Sequence, residues 1–502
     1  MPETPSGAQS RPSVERLLST ESMDSVDSTE MRRLTSRDSA YTTRKTADQY
    51  QWEPREDLEH SEADLGPTRN GATSEEPQPS VEYRVYRRRF FGLIQLVLLN
   101  IVVSWDWLTF SAVSTTASEY FDVTPAAVNW LSTGFLFAFV VVSPLVVWTL
   151  NKGGPKSSIV VASGLVLVGN WIRYAGARAT DGHFGVVMFG QILIGFAQPF
   201  VLAAPTRYSN LWFSDSGRVT ATAVASLANP FGGALGQLIG PLWATDTAGI
   251  PNMVLYTSII STVAALPAFF IPRAPPSPPS AVAAEEKLDI RHALQVLSKN
   301  TSFYLVLFPF SVYVGFFNAT SSLLNQILEP YGFSETEAGI SGGILIIVGL
   351  IASAIVSPVV DRTKAYLLTI KILVPLIAVG YLILIWVPQT RMLAAPFVVC
   401  ALLGASSFSL LPCVLEYLVI ITHPASPETT STIAWTGGQL LGGIFIVIMT
   451  ALKGAGDAEP DGSMKRALIY QATFAWAVVP LPMCLGLNIL DKRHSVRLAE
   501  GV

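Results

Sequence analysis

The chain has 502 residues, of which 50% are hydrophobic and only 14% charged, with a mean hydropathy of +0.42. Soluble domains carry about 25% charged residues, so the composition alone points to a membrane protein. The formal net charge of −4 speaks against a nucleic-acid binder, which shows a basic patch or stripe.

Cys400, Cys413 and Cys484 all lie in apolar runs and form neither a disulfide framework nor a CxxC metal pair. The five histidines are scattered. No catalytic residue, metal site or cofactor is therefore expected, and the chain reads as a non-enzyme.

Residues 1–86 are rich in Ser, Thr, Glu and Arg and poor in apolar side chains. Such a segment cannot bury enough surface to offset its chain entropy, so a disordered cytoplasmic tail is expected. It contains no apolar core of a cleavable signal.

From residue 90 onward apolar runs alternate with short polar breaks. A spanning helix needs about 20 apolar residues, which places spans near 90–117, 126–150, 157–176, 184–206, 217–243 and 252–272. Six more fall near 302–328, 337–360, 365–388, 391–422, 428–453 and 466–490. The expected fold is an all-α integral membrane protein with twelve transmembrane helices in two pseudo-symmetric six-helix bundles, 87–273 and 301–490. A Pro-rich cytoplasmic linker, 274–300, divides them, and "KLDIRHALQVL" within it reads as a short amphipathic helix. Residues 491–502 form a second cytoplasmic tail.

Lysine and arginine in the short loops set the orientation. With the N-terminus cytoplasmic, the inner loops hold Arg84, Arg87, Arg88, Arg89, Lys152, Lys156, Arg207, Arg218, Arg273 and Lys287. They also hold Arg291, Lys299, Arg362, Lys364, Lys492, Arg493 and Arg497. The outer loops hold Arg173, Arg178, Arg391, Lys453, Lys465 and Arg466, a bias of roughly three to one. Both termini are thus expected inside, in the plasma membrane or an endomembrane.

The two halves echo each other. Gly232, Gly236 and Gly240 recur every four residues in the fifth span, as do Gly438 and Gly442 in the eleventh. Small residues at that spacing let helix backbones approach closely in lipid. Their repetition in two six-span halves is the pattern of parallel repeats in the major facilitator superfamily.

An ionisable residue inside a span costs roughly 2.5–3.5 kcal/mol on insertion scales, and those present usually face a cavity or a partner. Asp106 lies in "SWDWLTF" of the first span. At about 100° per residue, Asp106, Trp107 and Phe110 are expected to share one wall while Trp105 points away. A carboxylate beside aromatic faces suits an organic cation, with cation–π attraction of about 0.5–2 kcal/mol. Two alternatives stay open: a proton relay, or an acid near the outer mouth paired with a base such as Arg173. Gln198 and Gln439 each bring an amide into apolar surroundings and must meet a helix, water or substrate.

Several strings carry a closer likeness: "RRRFF", "SWDWLTFSAVS", "AVNWLSTGFLFAFVVVSP", "GQILIGFAQPFVLAAPTRYSNLWF", "VGFFNATSSLLNQIL", "VDRTKAY", "LPCVLEYLVIITHP" and "TGGQLLGGIF". From about Arg87 to about Leu490 the chain resembles the feline leukaemia virus subgroup C receptor-related transporters, solute carrier family 49. The resemblance implies alternating access and a cargo such as choline or ethanolamine, haem for some members, or pyridoxine for another branch. By matching strings it implies substrate contact for Trp107, Gln198 and Gln439; helix geometry adds Asp106 and Phe110 beside Trp107, and Asn318 is a further expected substrate contact, by hydrogen bonding. The family's seventh-span tyrosine falls on Asn318, a departure that removes one wall of the expected aromatic cage.

Asp361 with Arg362 resembles the superfamily's gate motif, in which an acid clasps bases of the adjacent loop; Asn151 stands at the matching place of the first half. Glu416 coincides with an acid of the family string and reads as a gating contact, and Arg207 as a cytoplasmic gate or a plain positive-inside residue. The leading reading is a monomeric secondary transporter of a small organic solute, with an organic cation or haem as cargo and the lipid bilayer as its surroundings. A proton-coupled antiporter of amphipathic compounds and a non-transporting receptor or scaffold are the rivals.

Overall fold

The computed structural model describes residues 84–180, 182–277, 297–422, 425, 427–454 and 460–486. The expected N-terminal tail up to residue 83, the amphipathic helix at 287–297 up to residue 296, the C-terminal tail and the Asn151 side chain lie outside the described residues.

Helices α1 (Arg89–Leu108), α2 (Ser114–Tyr120), α3 (Pro125–Leu150), α4 (Lys152–Arg178), α5 (Phe184–Trp212), α6 (Asp215–Trp243) and α7 (Ile250–Ala265) form the first half. The second half contains α8 (Thr301–Leu328), α9 (Glu335–Thr363), α10 (Tyr366–Leu384), α11 (Ala394–Thr422), α12 (Pro427–Ala451), α13 (Lys465–Ala477) and α14 (Pro480–Met483).

Local chemistry sets the boundaries. Thr124 caps α3 by accepting from the Ala127 amide, with Pro125 at the first helical position, where its missing N–H costs nothing. Gly154 takes φ +69° before Pro155 and kinks the chain just inside the start of α4, a conformation that an L side chain resists. Ser334 and Glu337 form a reciprocal capping box at the start of α9.

Among the described residues, ten helices are long and apolar enough to cross a membrane. The expected spans near 217–243 and 466–490 are not among them. α6 has the length, 29 residues, but carries Asn229, Gln237 and several Ser and Thr. The last span ends early because α13 is only 13 residues long and gives way at Pro480, where a proline can start a helical turn but not continue one.

Packing repeats between the halves: α1 lies on α6 as α8 lies on α12, and α5 lies on α3 and α4 as α11 lies on α9. Across the halves, α6 meets α9 and α3 meets α12. The glycine stripe of α6 makes the first contact possible. A Cβ on Gly232 would collide with the Ile101 carbonyl, and one on Gly236 would sit 3.0 Å from the Trp105 carbonyl. In α12, a Cβ on Gly442 would come within 2.9 Å of Asn318 Nδ2. Close backbone approach of this kind replaces the hydrophobic drive that lipid cannot supply.

Candidate functional site

A cavity of about 1090 Å³ lies between the halves. Ser104 and Trp107 reach it from α1, Phe139 from α3, Gln198 from α5 and Asn229 from α6. The second half contributes Tyr313, Phe317 and Asn318 from α8, Phe408 from α11, and Trp435 and Gln439 from α12. Asn318 Nδ2 donates to Gln439 Oε1 at 3.1 Å, which ties α8 to α12 and leaves the Gln439 amide nitrogen as its second polar end. The Trp107 ring stacks on Phe135 with centroids 6.4 Å apart.

Two buried polar atoms of this wall have no partner: Trp107 Nε1, a donor, and Gln198 Oε1, an acceptor. A buried unpaired group costs about 1–3 kcal/mol, and both residues line the cavity, so a small turn of either side chain would bring its free atom to a water or a solute there.

The cavity is shut at the end away from Arg84 and Gly486, the first and last described residues, which mark the termini side. Asn129 Nδ2 donates to Thr450 Oγ1 at 2.9 Å, and Gln326 Nε2 to Asn129 Oδ1 at 2.7 Å. Glu335 accepts from the Thr115 and Thr116 amides at 2.9 and 3.2 Å and from Thr116 Oγ1 at 2.7 Å. Asn325 Nδ2 donates to Ser114 Oγ and to Glu335. Deeper in, Gln237 Nε2 donates to the Ser321 carbonyl at 2.6 Å.

Towards the termini side, the cavity is lined by Arg207, Arg218, Asp361, Tyr366 and Glu416. Among the described residues Arg207 has no hydrogen-bonding or ion-pair partner, and Asp361 accepts from the Tyr366 hydroxyl at 3.0 Å. Arg362 follows it in the sequence but is exposed and does not line the cavity.

The expectation of one wall shared by Asp106, Trp107 and Phe110 is corrected here. Trp107 faces the cavity, whereas Asp106 and Phe110 do not line it. Asp106 pairs with Arg173, Nη2 to Oδ1 at 2.7 Å, and both side chains are almost wholly buried. Asn170 Nδ2 and Ser261 Oγ donate to Asp106 Oδ2 at 2.6 and 3.3 Å. The guanidinium lies 5.6 Å from the Phe110 ring centroid.

The reason is angular: neighbours about 100° apart on a helix can face different helices, and the partner stands 67 residues away. Arg173 is accordingly no loop residue but lies inside α4. Trp105 turns from both groups and stacks on Trp243 at 5.7 Å.

A twofold-repeated helical bundle that encloses one polar-spotted cavity, shut at one end, defines an architecture, and sequence comparison supplies its lineage. The Major Facilitator Superfamily profile matches residues 96–446. The chain belongs to this superfamily.

Within it, the solute carrier family 49 branch is shown by 32% identity to solute carrier family 49 member A3 of Danio rerio, over 82% of this chain and 89% of the relative. The choline/ethanolamine transporter FLVCR1 of Felis catus is 27% identical over 85% of this chain and 78% of its own length. Among solved structures, a D-xylose–proton symporter superimposes with a TM-score of 0.59 at 15% identity, covering 79% of this chain and 99% of its own. A bacterial homologue of the lysosomal transporter Spinster, inward-facing and unoccupied, gives 0.58 at 14% identity, covering 80% and 97%. At those identities the structures share the fold alone.

Seen as a member of the major facilitator superfamily, the chain has further cavity-lining residues, Phe317 and Trp435 among them, and a contact at the shut end, Glu335, that are not among the expected ones. Trp435 sits four residues before Gln439 in α12, the spacing that puts both on one face. Phe317 precedes Asn318, and Glu335 opens α9. The first carried a periodicity signal; Glu335 carried none, because its partners lie 219 and 220 residues away.

Proposed function

We propose that this chain moves a small hydroxylated amine of the choline and ethanolamine class across a membrane by alternating access between two six-helix bundles, 87–273 and 301–490. One observation carries the reading: Trp107 and Gln198, each with a buried polar atom that has no partner, line with Asn318 and Gln439 one cavity between the halves. A hydroxyl both accepts and donates, so it can complete such a pair. Ring faces of Trp107, Phe317 and Trp435 hold an ammonium group by its attraction to the π quadrupole. Similarity to FLVCR1 of Felis catus, a choline/ethanolamine transporter, favours this class of cargo.

Asp106 is not assigned to the cargo, since its carboxylate is spent on Arg173 and Asn170. The excess of lysine and arginine in the loops on the termini side supports both termini being cytoplasmic, so the cavity faces the cytoplasm in this state. Arg207, Asp361 and Glu416 at its mouth, with Arg362 beside them, are the charges that would meet when that end closes. A monomer is the proposed transporting unit.

Uptake of labelled choline, ethanolamine, pyridoxine and haem into cells expressing the chain tests the reading. Saturable uptake of choline or ethanolamine is expected, lost in Trp107→Ala at unchanged surface amount. Unchanged uptake by Trp107→Ala would remove the site assignment, and uptake of pyridoxine or haem alone would remove the cargo class.

A further inference from the structure

Among the described residues, Trp107 is the only cavity-facing residue of the first half whose peptide neighbour is an ion-paired carboxylate. α1 ends at Leu108, one residue beyond it. At a helix end the last carbonyls lack intrahelical donors and must be met from elsewhere. The Asp106 carbonyl is met twice, by Arg173 Nη1 at 3.1 Å and by Gln191 Nε2 at 3.0 Å. Its carboxylate is met by Arg173, Asn170 and Ser261.

Arg173 is the hub of this arrangement. Besides its two bonds to Asp106 it donates to Gln191 Oε1 at 2.8 Å, Asn170 Oδ1 at 2.8 Å and Thr257 Oγ1 at 3.2 Å. These bonds bring α4, α5 and α7 onto the end of α1. None of these partners touches the cavity, and all belong to the first half.

We infer that Arg173 is a positioning residue for cargo binding: through Asp106 it fixes the height and rotation of the α1 terminus, and with them the Trp107 indole. A bare ion pair would need only two charges. This one also grips the backbone of the residue next to Trp107, which charge balance does not require. The planar guanidinium supplies donors in a fixed fork, so it sets direction as well as distance.

Because the network lies inside one half, it is carried unchanged when the halves rock. Its loss therefore acts on how well cargo is held rather than on how fast the halves move. The inference rests on the proposed cargo site for its kinetic arm, and on the geometry alone for its spectroscopic arm.

The test compares Arg173→Gln/Asp106→Asn with the wild-type chain. Removing both charges together avoids leaving one of them buried and unpaired, and Arg173→Lys is the second variant should the double one fail to reach the surface. In choline or ethanolamine uptake the expected result is KM raised about fivefold or more, with the maximal rate per surface molecule within about twofold. An unchanged KM in a variant at normal surface amount would overturn the inference.

The spectroscopic arm labels the full chain with 5-fluorotryptophan and assigns the Trp107 fluorine signal by its loss in Trp107→Phe. A shifted or split Trp107 signal is expected in the variant, with the signal of the exposed Trp386 unmoved. An unmoved Trp107 signal would overturn the inference. Should the wild-type chain take up neither choline nor ethanolamine, the cargo assignment fails while this arm still decides the role of Arg173.

Discussion

The interiors of the two halves are held by different balances of contact: an ion-paired polar network in the first, and in the second an aromatic cluster with a few polar ties, such as Gln471 Nε2 to Thr320 Oγ1 at 2.7 Å. In the first, α1, α4, α5 and α7 meet around Asp106 and Arg173 through short, directional bonds. In the second, α8, α10, α12 and α13 meet around Phe316. Its ring stacks on Phe445 at 4.2 Å and meets Tyr381, Phe474 and Tyr470 edge-on at 5.8, 6.0 and 6.3 Å.

Aromatic packing tolerates small shifts at modest cost, whereas a buried polar network is worth most when every member is satisfied. The half that carries Trp107 is thus the more sharply specified. The half that carries Asn318 and Gln439 has room to adjust.

The largest effect expected from this contrast is in Arg173→Gln alone, which strands the Asp106 carboxylate and costs about 3–5 kcal/mol. Little of this variant should reach the cell surface, as biotinylation would report. A stable, well-expressed Arg173→Gln chain would break the comparison.

Glu335→Gln comes next. It weakens the charged contacts to Thr115 and Thr116 by about 1–2 kcal/mol and favours opening at that end. A cysteine placed at Ser321 should then react faster with a reagent supplied from the far side; no change in rate would remove Glu335 from the gate.

The smallest effect on transport belongs to Phe316→Leu, which costs about 1–3 kcal/mol of stability through lost ring contacts and a small void. Its thermal unfolding should fall slightly, with KM unchanged. A loss as large as that of Arg173→Gln would erase the difference between the halves.

The sequence made the helices and their repeat legible because hydropathy and glycine spacing are local signals. Gly232 and Gly236 could be assigned to a close helix contact from spacing alone, and they lie on α1. Trp107, Gln198, Asn318 and Gln439 could be named before their meeting in one cavity was visible.

What was not legible depends on distance along the chain. The sequence offers Asp106 as a cavity wall and leaves its pairing with Arg173 as an alternative; only tertiary packing decides for the pair, at 2.7 Å and inside the bundle rather than between loop residues at the outer mouth. Glu335 reads in sequence as part of a helix start, yet it serves as the trans-acting acceptor for the amides of α2. The break of the last span at Pro480 was visible in the letters, but an apolar run can hide a helix end.

The most direct measurement uses Ser104→Cys, one turn before Trp107 on the cavity wall, in a chain whose Cys400, Cys413 and Cys484 are replaced. Alkylation by a reagent supplied from the termini side is predicted. Choline or ethanolamine at saturation should slow it, and Trp107→Ala should abolish that protection. Labelling at the same rate with and without a cargo that the same chain transports would contradict the placement of the cargo in this cavity.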